Sequence, residues 1–352
     1  MLNRDSHIPL YIQLADELRK QILDGSIKVG DKLPSESEMI KTYKLGRLTI
    51  RDALSILANE GLVEKHHGKG TFCKACLTHP KYRIDIMLDL TDMYFVPHYL
   101  HTICSVLDSY DVSIVLNDTK NKSEIICSLI EKVLSEGTDG VIFQPPTSEC
   151  TAPQNLKELL DRLVSERIPY IMIDNAYSNV EPSYAMMDEE HSGLIAANYL
   201  KSLGHKKMCM VEYNINVDSE LRKKGFTDAL DEKPVIINYD SNIFENISEL
   251  MKKSKDITAF FCYNDIVAKD CYDIFEKLSL KIPDDISVVS VDDTIIASTL
   301  TPSLTSVVHS KEHLAKSVAN AMISIISGNS QWPFKKVFEP SLNMRKSCKS
   351  LS

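Results

Sequence analysis

The apolar positions between residues 34 and 72 change period, and the change divides the stretch into elements. Ile50, Ala53, Leu54 and Leu57 recur at i, i+3, i+4 and i+7, which is one buried face of an α-helix. Arg47, Thr49, Arg51 and Ser55 fall elsewhere on that helix. Ahead of it, Ser35 stands three residues before Glu38, a capping box that predicts a shorter helix running to Tyr43. Lys44-Leu45-Gly46 breaks the pattern, with Gly46 placed to cap the second helix and Gly61 placed to stop it. Residues 62–65 and 71–73 then read as strands joined by the tip His66-His67-Gly68-Lys69-Gly70. Further upstream, Leu10, Leu14, Leu18 and Ile22 predict a helix over residues 9–24, and residues 27–33 a connector.

Helix, tight link, helix and basic hairpin together make a winged helix-turn-helix, which lays its second helix in a DNA groove. Arg47, Thr49 and Arg51 are expected to face that groove. Arg47 and Thr49 also lie in the first turn, where free N–H groups and the positive dipole end favour a phosphate. Ser35, Lys44 and Leu48 around the turn, with His67, Gly68, Lys69 and Gly70 at the tip, complete the expected DNA-contacting set. Charge sharpens this picture. The 352-residue chain carries a formal charge of −9, an average that argues against nucleic acid. Residues 1–80, however, hold 12 Lys and Arg against 10 Asp and Glu, and the remainder 28 against 39. The positive balance is confined to the reading head.

From residue 83 the pattern changes to short β-rich runs, at 84–90, 112–116, 140–143, 170–173, 208–211, 235–238, 259–262 and 287–291. Amphipathic helical stretches lie between them, as at 124–135, 156–166, 191–203, 266–278 and 311–326. Such alternation predicts parallel α/β sheets with helices on both faces, long enough for two lobes, binding ligands at the carboxyl ends of strands. The expected division is a head at 7–75, a linker at 76–82 and a two-lobed α/β body at 83–352.

The opening MLNRDSHIPLYIQ is polar, and no apolar run reaches the ~18–20 residues of a membrane span. The nine cysteines are dispersed, so reduced thiols in the cytoplasm are expected. Cys73-x-x-Cys76 reads as half of a metal site, a redox pair, or two ordinary cysteines beside a linker; no second pair follows at a suitable spacing. Gly68-Lys69-Gly70-Thr71 lacks P-loop spacing and sits in a hairpin. No catalytic group, metal or cofactor is expected.

The blocks PLYIQLADELRKQI, PSESEM, RLTIRDAL, LANEGL and GKGTF resemble the GntR family of bacterial regulators over about residues 7–75. Lys44 and Gly46 depart from it, standing where that family usually has Gly and Ser. The body resembles the sugar-responsive domain of LacI/GalR regulators, a type I periplasmic-binding-protein-like fold, over residues 83–352. The marks are DGVIF, IPYIMID, LKSLGHKKM, LRKKGFTDAL, FFCYNDIVA, IPDDISVVSVDDT, LTSVVH and NMRKS. Ser290-Val291 departs from it, since Gly followed by an aromatic is usual there. The combination resembles the arabinose-operon repressors of Gram-positive bacteria.

The resemblance implies a homodimeric repressor that binds double-stranded operator DNA and is released by an L-arabinose-like sugar. A neutral sugar needs bidentate acceptors, donors and an aromatic platform. The positions matching the resembled contacts are Arg222, Asn264, Asp292 and His309, with Asp174, Tyr94 and Phe95 following earlier strands. Alternatives remain for several: Arg222 as a surface residue, Tyr94 and Phe95 as core aromatics, Asp265 and Asp293 as helix caps, and His205 as a helix-end residue. Another pentose, a hexose or a purine as effector, and an activator in place of a repressor, also fit this architecture. An aminotransferase-like enzyme behind such a head would need a longer chain and a Schiff-base lysine setting.

Overall fold

The computed structural model describes residues 9–23, 26–66, 69–74, 81–91, 96–213 and 217–351. Its contacts separate two compact units, residues 1–81 and 82–352.

The first unit contains α1 (Leu10–Leu23), α2 (Glu36–Tyr43), α3 (Arg47–Asn59) and an antiparallel hairpin of β1 (Val63–His66) and β2 (Gly70–Cys73). The capping box forms as expected: Glu38 N–H donates to Ser35 Oγ, and Ser35 N–H donates to Glu38 Oε2 at 2.7 Å. Gly46 caps α3 with extended backbone, and Gly61 ends it at φ 75°. Ile50, Ala53, Leu54 and Leu57 are buried with Leu14, Leu18, Ile22 and Met39 in one core. The connector does more than link. Leu33 N donates to Thr71 O and Cys73 N to Asp31 O, so residues 31–33 add a third, strand-like edge to the wing. Cys73 is buried in this core; Cys76 lies outside the described residues.

The second unit has two lobes. The first is built from β3 (Tyr82–Leu88), α4 (Val96–Leu107), β4 (Val112–Asp118), α5 (Ser123–Glu136), β5 (Gly140–Phe143), α6 (Gln154–Ser165), β6 (Tyr170–Asp174) and β7 (Tyr184–Met187). The second follows as α7 (Glu189–Ser202), β8 (Met208–Glu212), α8 (Val217–Asp228), β9 (Val235–Asn238), α9 (Ile243–Lys253), β10 (Ala259–Cys262), α10 (Asp265–Lys277), β11 (Ser287–Asp292), α11 (Ile295–Thr299) and β12 (Thr305–Val308). The chain then returns to the first lobe with α12 (Lys311–Ile326) and β13 (Lys335–Phe338), and ends in the second with β14 (Ser341–Asn343).

The sheet orders are β13-β7-β6-β5-β3-β4 and β14-β12-β11-β10-β8-β9, parallel throughout except for β14. The chain therefore crosses between lobes at Asp188, at His309-Ser310 and at Glu339-Pro340. Near-continuous apolar strands such as β5 and β10, buried at every residue, are what a sheet covered on both faces requires. Tyr82 was expected in the linker; it pairs with Val112 as the first residue of β3, because the β3–β4 ladder starts there. The short strand β7 and the edge strands β13 and β14 carry too few buried apolar residues to have shown in the sequence pattern.

Candidate functional site

On the head, α3 turns Arg47, Leu48 and Arg51 outward, with Leu48 74% exposed despite being apolar. Thr49 is half-buried and Lys69 is exposed at the hairpin tip; Gly70 opens β2. His67 and Gly68 lie outside the described residues. Lys44 has left-handed backbone, φ 52° and ψ 43°, which explains why glycine suits this position. The Ser35 hydroxyl is occupied by Glu38, to which it donates at 2.7 Å.

The cations do not stand apart. Glu36, at the start of α2, lies 3.5 Å from Arg51 Nε, 3.9 Å from Arg47 Nε and 3.5 Å from Lys65 Nζ. One carboxylate thus gathers three exposed cations on the surface expected to meet phosphate.

In the body, a cavity of about 300 Å³ opens between the lobes, and its walls come from the carboxyl ends of strands. Asp174 ends β6 and Asp292 ends β11, both with left-handed backbone at φ 74° and 108°. Such backbone costs on the order of 1–3 kcal/mol per residue outside glycine, and it turns both carboxylates toward the cleft. His309 follows β12, Asn264 follows β10, and Arg222 projects from α8; all line the same cavity. Five expected positions therefore meet in one place. Tyr94 and Phe95 lie outside the described residues.

Each charge has a distinct setting. Arg222, 3% exposed, donates to both oxygens of Glu189 at 2.6 and 3.0 Å and to the Tyr263 carbonyl at 2.7 Å. Its guanidinium lies 4.7 Å from the Tyr263 ring centroid. Burial alone would lower its pKa, but Glu189 together with Tyr263 and Asp292 more than offsets this and the cation is held. Asp174 receives the Tyr99 hydroxyl at 2.7 Å, the Gln144 amide at 3.0 Å and His309 Nε2 at 3.1 Å. Burial pushes this carboxyl up, yet the His309 and Tyr99 contacts hold it below the ordinary aspartate range.

Asp292 differs. It is buried, neither carboxylate oxygen has a hydrogen-bond partner among the described residues, and Arg222 Nη2 stands 3.7 Å away. Burial pushes its pKa up to about 6, against the pull of Arg222 and Lys311. A buried carboxylate that faces a cavity with an ion pair but no hydrogen bond among the described residues has acceptor capacity left for a ligand.

The sequence reading missed Glu189, Gln144, Asp218 and the tyrosines 213, 239 and 263, which also line the cavity. Tyr213 stacks at tilted angles on Tyr239 and Tyr263, with centroids 5.5 and 5.6 Å apart, so an aromatic wall does stand in the second lobe. Glu189 is brought inward by the approach of α7 and α8. A Cβ on Gly225 would come within 1.8 Å of Glu190 O, and one on Gly193 within 2.0 Å of Arg222 O. Only glycine at these positions allows that contact.

Two expected caps have other roles. Asn264, not Asp265, caps α10 by accepting from Val267 N at 2.9 Å. Asp265 is fully buried and accepts from Ser290, Ser306 and Thr294, tying β11 and β12 to α10. That bond accounts for Ser290 where glycine is usual: its hydroxyl satisfies a buried carboxylate and does not line the cavity. Asp293 pairs with Arg345 at 2.6 Å and with Asn343, while Thr294 sits at the α11 N-cap. His205 is buried, bonded to Thr258, and stands away from the cleft. Across the mouth, Val217 N at the start of α8 donates to Thr147 O in the first lobe at 3.1 Å.

An exposed cationic helix on a winged head, joined to a two-lobed body with a polar cleft, defines a ligand-responsive DNA-binding regulator. Residues 10–73 match the bacterial regulatory proteins of the gntR family, and residues 197–348 match the periplasmic binding protein-like domain. The arabinose metabolism transcriptional repressor of Halalkalibacterium halodurans is 30% identical over 336 residues, spanning 90% of this chain and 89% of that protein. The one from Geobacillus stearothermophilus is 28% identical over 99% of this chain and 100% of its own length. The chain belongs to this family of GntR-headed transcriptional repressors. A LacI-type regulator from Alkaliphilus metalliredigens, solved with D-xylulofuranose, shares the body fold with a TM-score of 0.62 and 22% identity. It covers 76% of this chain and 100% of that one. Among the described residues no helix is long and apolar enough to cross a membrane.

Proposed function

We propose that the protein works in the cytoplasm as a homodimeric repressor of a sugar-utilisation operon, released from its operator by an L-arabinose-like pentose. The observation that carries the effector reading is Asp292: a buried carboxylate with no hydrogen-bond partner among the described residues, held on strained backbone at the wall of an interlobe cavity. A sugar hydroxyl pair would give it two donors. Arg222 and Asn264 supply further polar contacts from the second lobe, and His309 and Asp174 face them from the hinge and the first lobe. The names of the curated relatives support arabinose as the sugar.

Two heads are needed because one winged head makes few contacts, whereas a two-fold dimer reads two half-sites. Arg47, Thr49 and Arg51 contact the groove, and Lys69 contacts phosphate from the wing. The sugar shifts the body only through its greater affinity for the closed cleft. Closure changes the separation of the heads, one half-site contact is lost, and the operator is released.

The experiment is a titration of L-arabinose, ribose, glucose and a purine base against a preformed complex of the full chain with an operator selected from random DNA. Arabinose should release the wild type, and Asp292→Ala should stay bound at every sugar concentration. Normal release of Asp292→Ala would remove Asp292 from the effector site. Release by the purine alone would overturn the sugar reading, and a monomer with full operator affinity would overturn the dimer.

A further inference from the structure

The cavity between the lobes has two chemically different ends. Its inner end is polar and closed in: Glu189, Arg222, Asp292 and His309 line it and are buried. Its outer end is aromatic and apolar. Tyr213 is 47% exposed, Ile266 in the first turn of α10 is exposed and Tyr239 is half-buried, yet all three line the same cavity. Single exposed apolar side chains need no explanation, whereas several gathered at the mouth of a cavity mark ground that a ligand covers. Size points the same way. The ten non-hydrogen atoms of a pentose, packed at the density of a protein interior, take up about 150 Å³. The cavity measures about 300 Å³. A pentose held by the polar end leaves free space on the order of its own volume beside the tyrosines. These rings are fixed in advance. The Tyr239 hydroxyl donates to Asp270 on α10, and the Tyr213 backbone N–H donates to Ser219 Oγ at 3.1 Å. Tyr263 already meets the Arg222 guanidinium at 4.7 Å and the Tyr213 ring at 5.6 Å, so Tyr213 is the ring left to offer a surface.

We propose, resting on the sugar reading above, that the mouth is a second subsite. The protein binds an arabinose unit that carries a second sugar ring more tightly than it binds free arabinose, and the second ring stacks on Tyr213. A sugar ring presents C–H groups on its face and hydroxyls around its edge. The face suits a tyrosine ring, and the hydroxyls keep their contact with water at the open mouth, so no polar group is stranded. The buried end fixes the first ring through hydrogen bonds and sets which sugar is accepted. The mouth adds affinity through contact area with few directional demands, and its pre-set rings lose little freedom when covered. A hexose does not use this space, because its one extra carbon and oxygen leave the tyrosines uncovered.

The test is calorimetry of the full chain with L-arabinose, an L-arabinose disaccharide and adenosine. The disaccharide should bind at least about tenfold more tightly than arabinose. The readout is the ratio of the two Kd values, which a general loosening of the cleft would not move. Tyr213→Ala should bring that ratio to within about twofold of equality, and Tyr213→Phe, which keeps the ring, should preserve it. Equal affinities in the wild type overturn the proposal and leave the effector reading standing. A ratio unaltered in Tyr213→Ala also overturns it. Tighter binding of adenosine than of the disaccharide overturns it too, and assigns the mouth to a nucleic-acid base. Failure of both sugars to bind overturns the sugar reading itself, and the second subsite falls with it.

Discussion

On α3 the cations proposed to meet DNA stand in water: the Arg47 and Arg51 side chains are 68% and 58% exposed, whereas the Arg222 side chain in the cleft is 4% exposed. Exposed charges cost little to hold and interact weakly at short range, since water and salt screen them. They serve DNA well, because a polyanion recruits them by long-range field and counterion release. A buried charge has no such freedom. Removing one partner strands the other, so the cleft is precise and expensive where the head is permissive. The same residue type therefore does two jobs, and the difference should show in which mutations damage the fold and which damage only binding.

The largest effect is expected where close backbone packing sets the cleft charges. Gly225→Ala drives a methyl group into Glu190 O, and backbone cannot swing aside as a side chain would. We expect a loss of about 3 kcal/mol or more in the stability of the body, since α7 and α8 must separate. Separation also pulls Glu189 from Arg222, so sugar response should vanish in the same variant. Denaturant melts of the whole chain check this, with the head transition as an internal control. Unchanged body stability would mean that the α7–α8 approach is not what holds Arg222.

A smaller effect of opposite sign is expected at Asp292. Its folded pKa, pushed up to about 6 by burial, lies above that of an unfolded aspartate. The folded state then binds the proton more tightly, and stability falls as pH rises from about 4 through 6. Asp292→Asn abolishes that loss. The variant should be more stable than the wild type by on the order of 2–3 kcal/mol at pH 7.5, and scarcely different at pH 4. It should also fail to respond to sugar, the exchange of function for stability common at binding sites. Urea melts at the two pH values decide it; equal differences at both would show that Asp292 does not titrate as described.

The contrast between head and cleft also governs what was legible in the sequence. The head is local: the 3.6-residue period, the Ser35–Glu38 box and the two glycine boundaries needed only neighbours along the chain. Cleft positions that end strands were legible too: the resemblance to LacI/GalR regulators singled out Asn264, Asp292 and His309, and the carboxyl end of a parallel strand is where ligand contacts are expected, as for Asp174. Glu189 and Asp218 were not. Glu189 sits in the acidic run Asp188-Glu189-Glu190-His191, which reads as a solvated helix start until Gly193 and Gly225 let α8 cover it. Asp218 had one local signal, its i, i+4 relation to Arg222. Asp265 was read as a cap because a helical stretch follows it, whereas its partners Ser290 and Ser306 come from two distant strands.

On the head, Arg51→Ala should leave stability within about 0.5 kcal/mol, as an exposed site does. It should cost about 1–3 kcal/mol of operator binding and relax preference at one base position. Lys69→Ala should weaken binding evenly across sequences and flatten the salt slope. Binding measured on matched and mismatched operators over a salt series separates the two. If Arg47→Ala alone alters base preference, the roles of Arg47 and Arg51 exchange.

The smallest expected effect probes the carboxylate that the head keeps among its own cations. Glu36 lies within 3.5–3.9 Å of Lys65 and of Arg47 and Arg51, the two arginines proposed to meet DNA. In the free head it holds these side chains together; on the operator it repels the phosphates they approach. Glu36→Gln removes the repulsion and keeps the side-chain length. It also gives up a negative charge in the first turn of α2, where the helix dipole favours one, at a cost of about 0.3–1 kcal/mol. The head should thus become slightly less stable while binding non-specific DNA more tightly, by less than tenfold, with a steeper salt dependence. Specific binding should gain no more than non-specific binding, because the new attraction carries no base information. Fluorescence anisotropy on operator and random duplexes between 50 and about 200 mM salt measures both slopes. Weaker binding of Glu36→Gln to random DNA would show that Glu36 orients the arginines for the groove and does not compete with it.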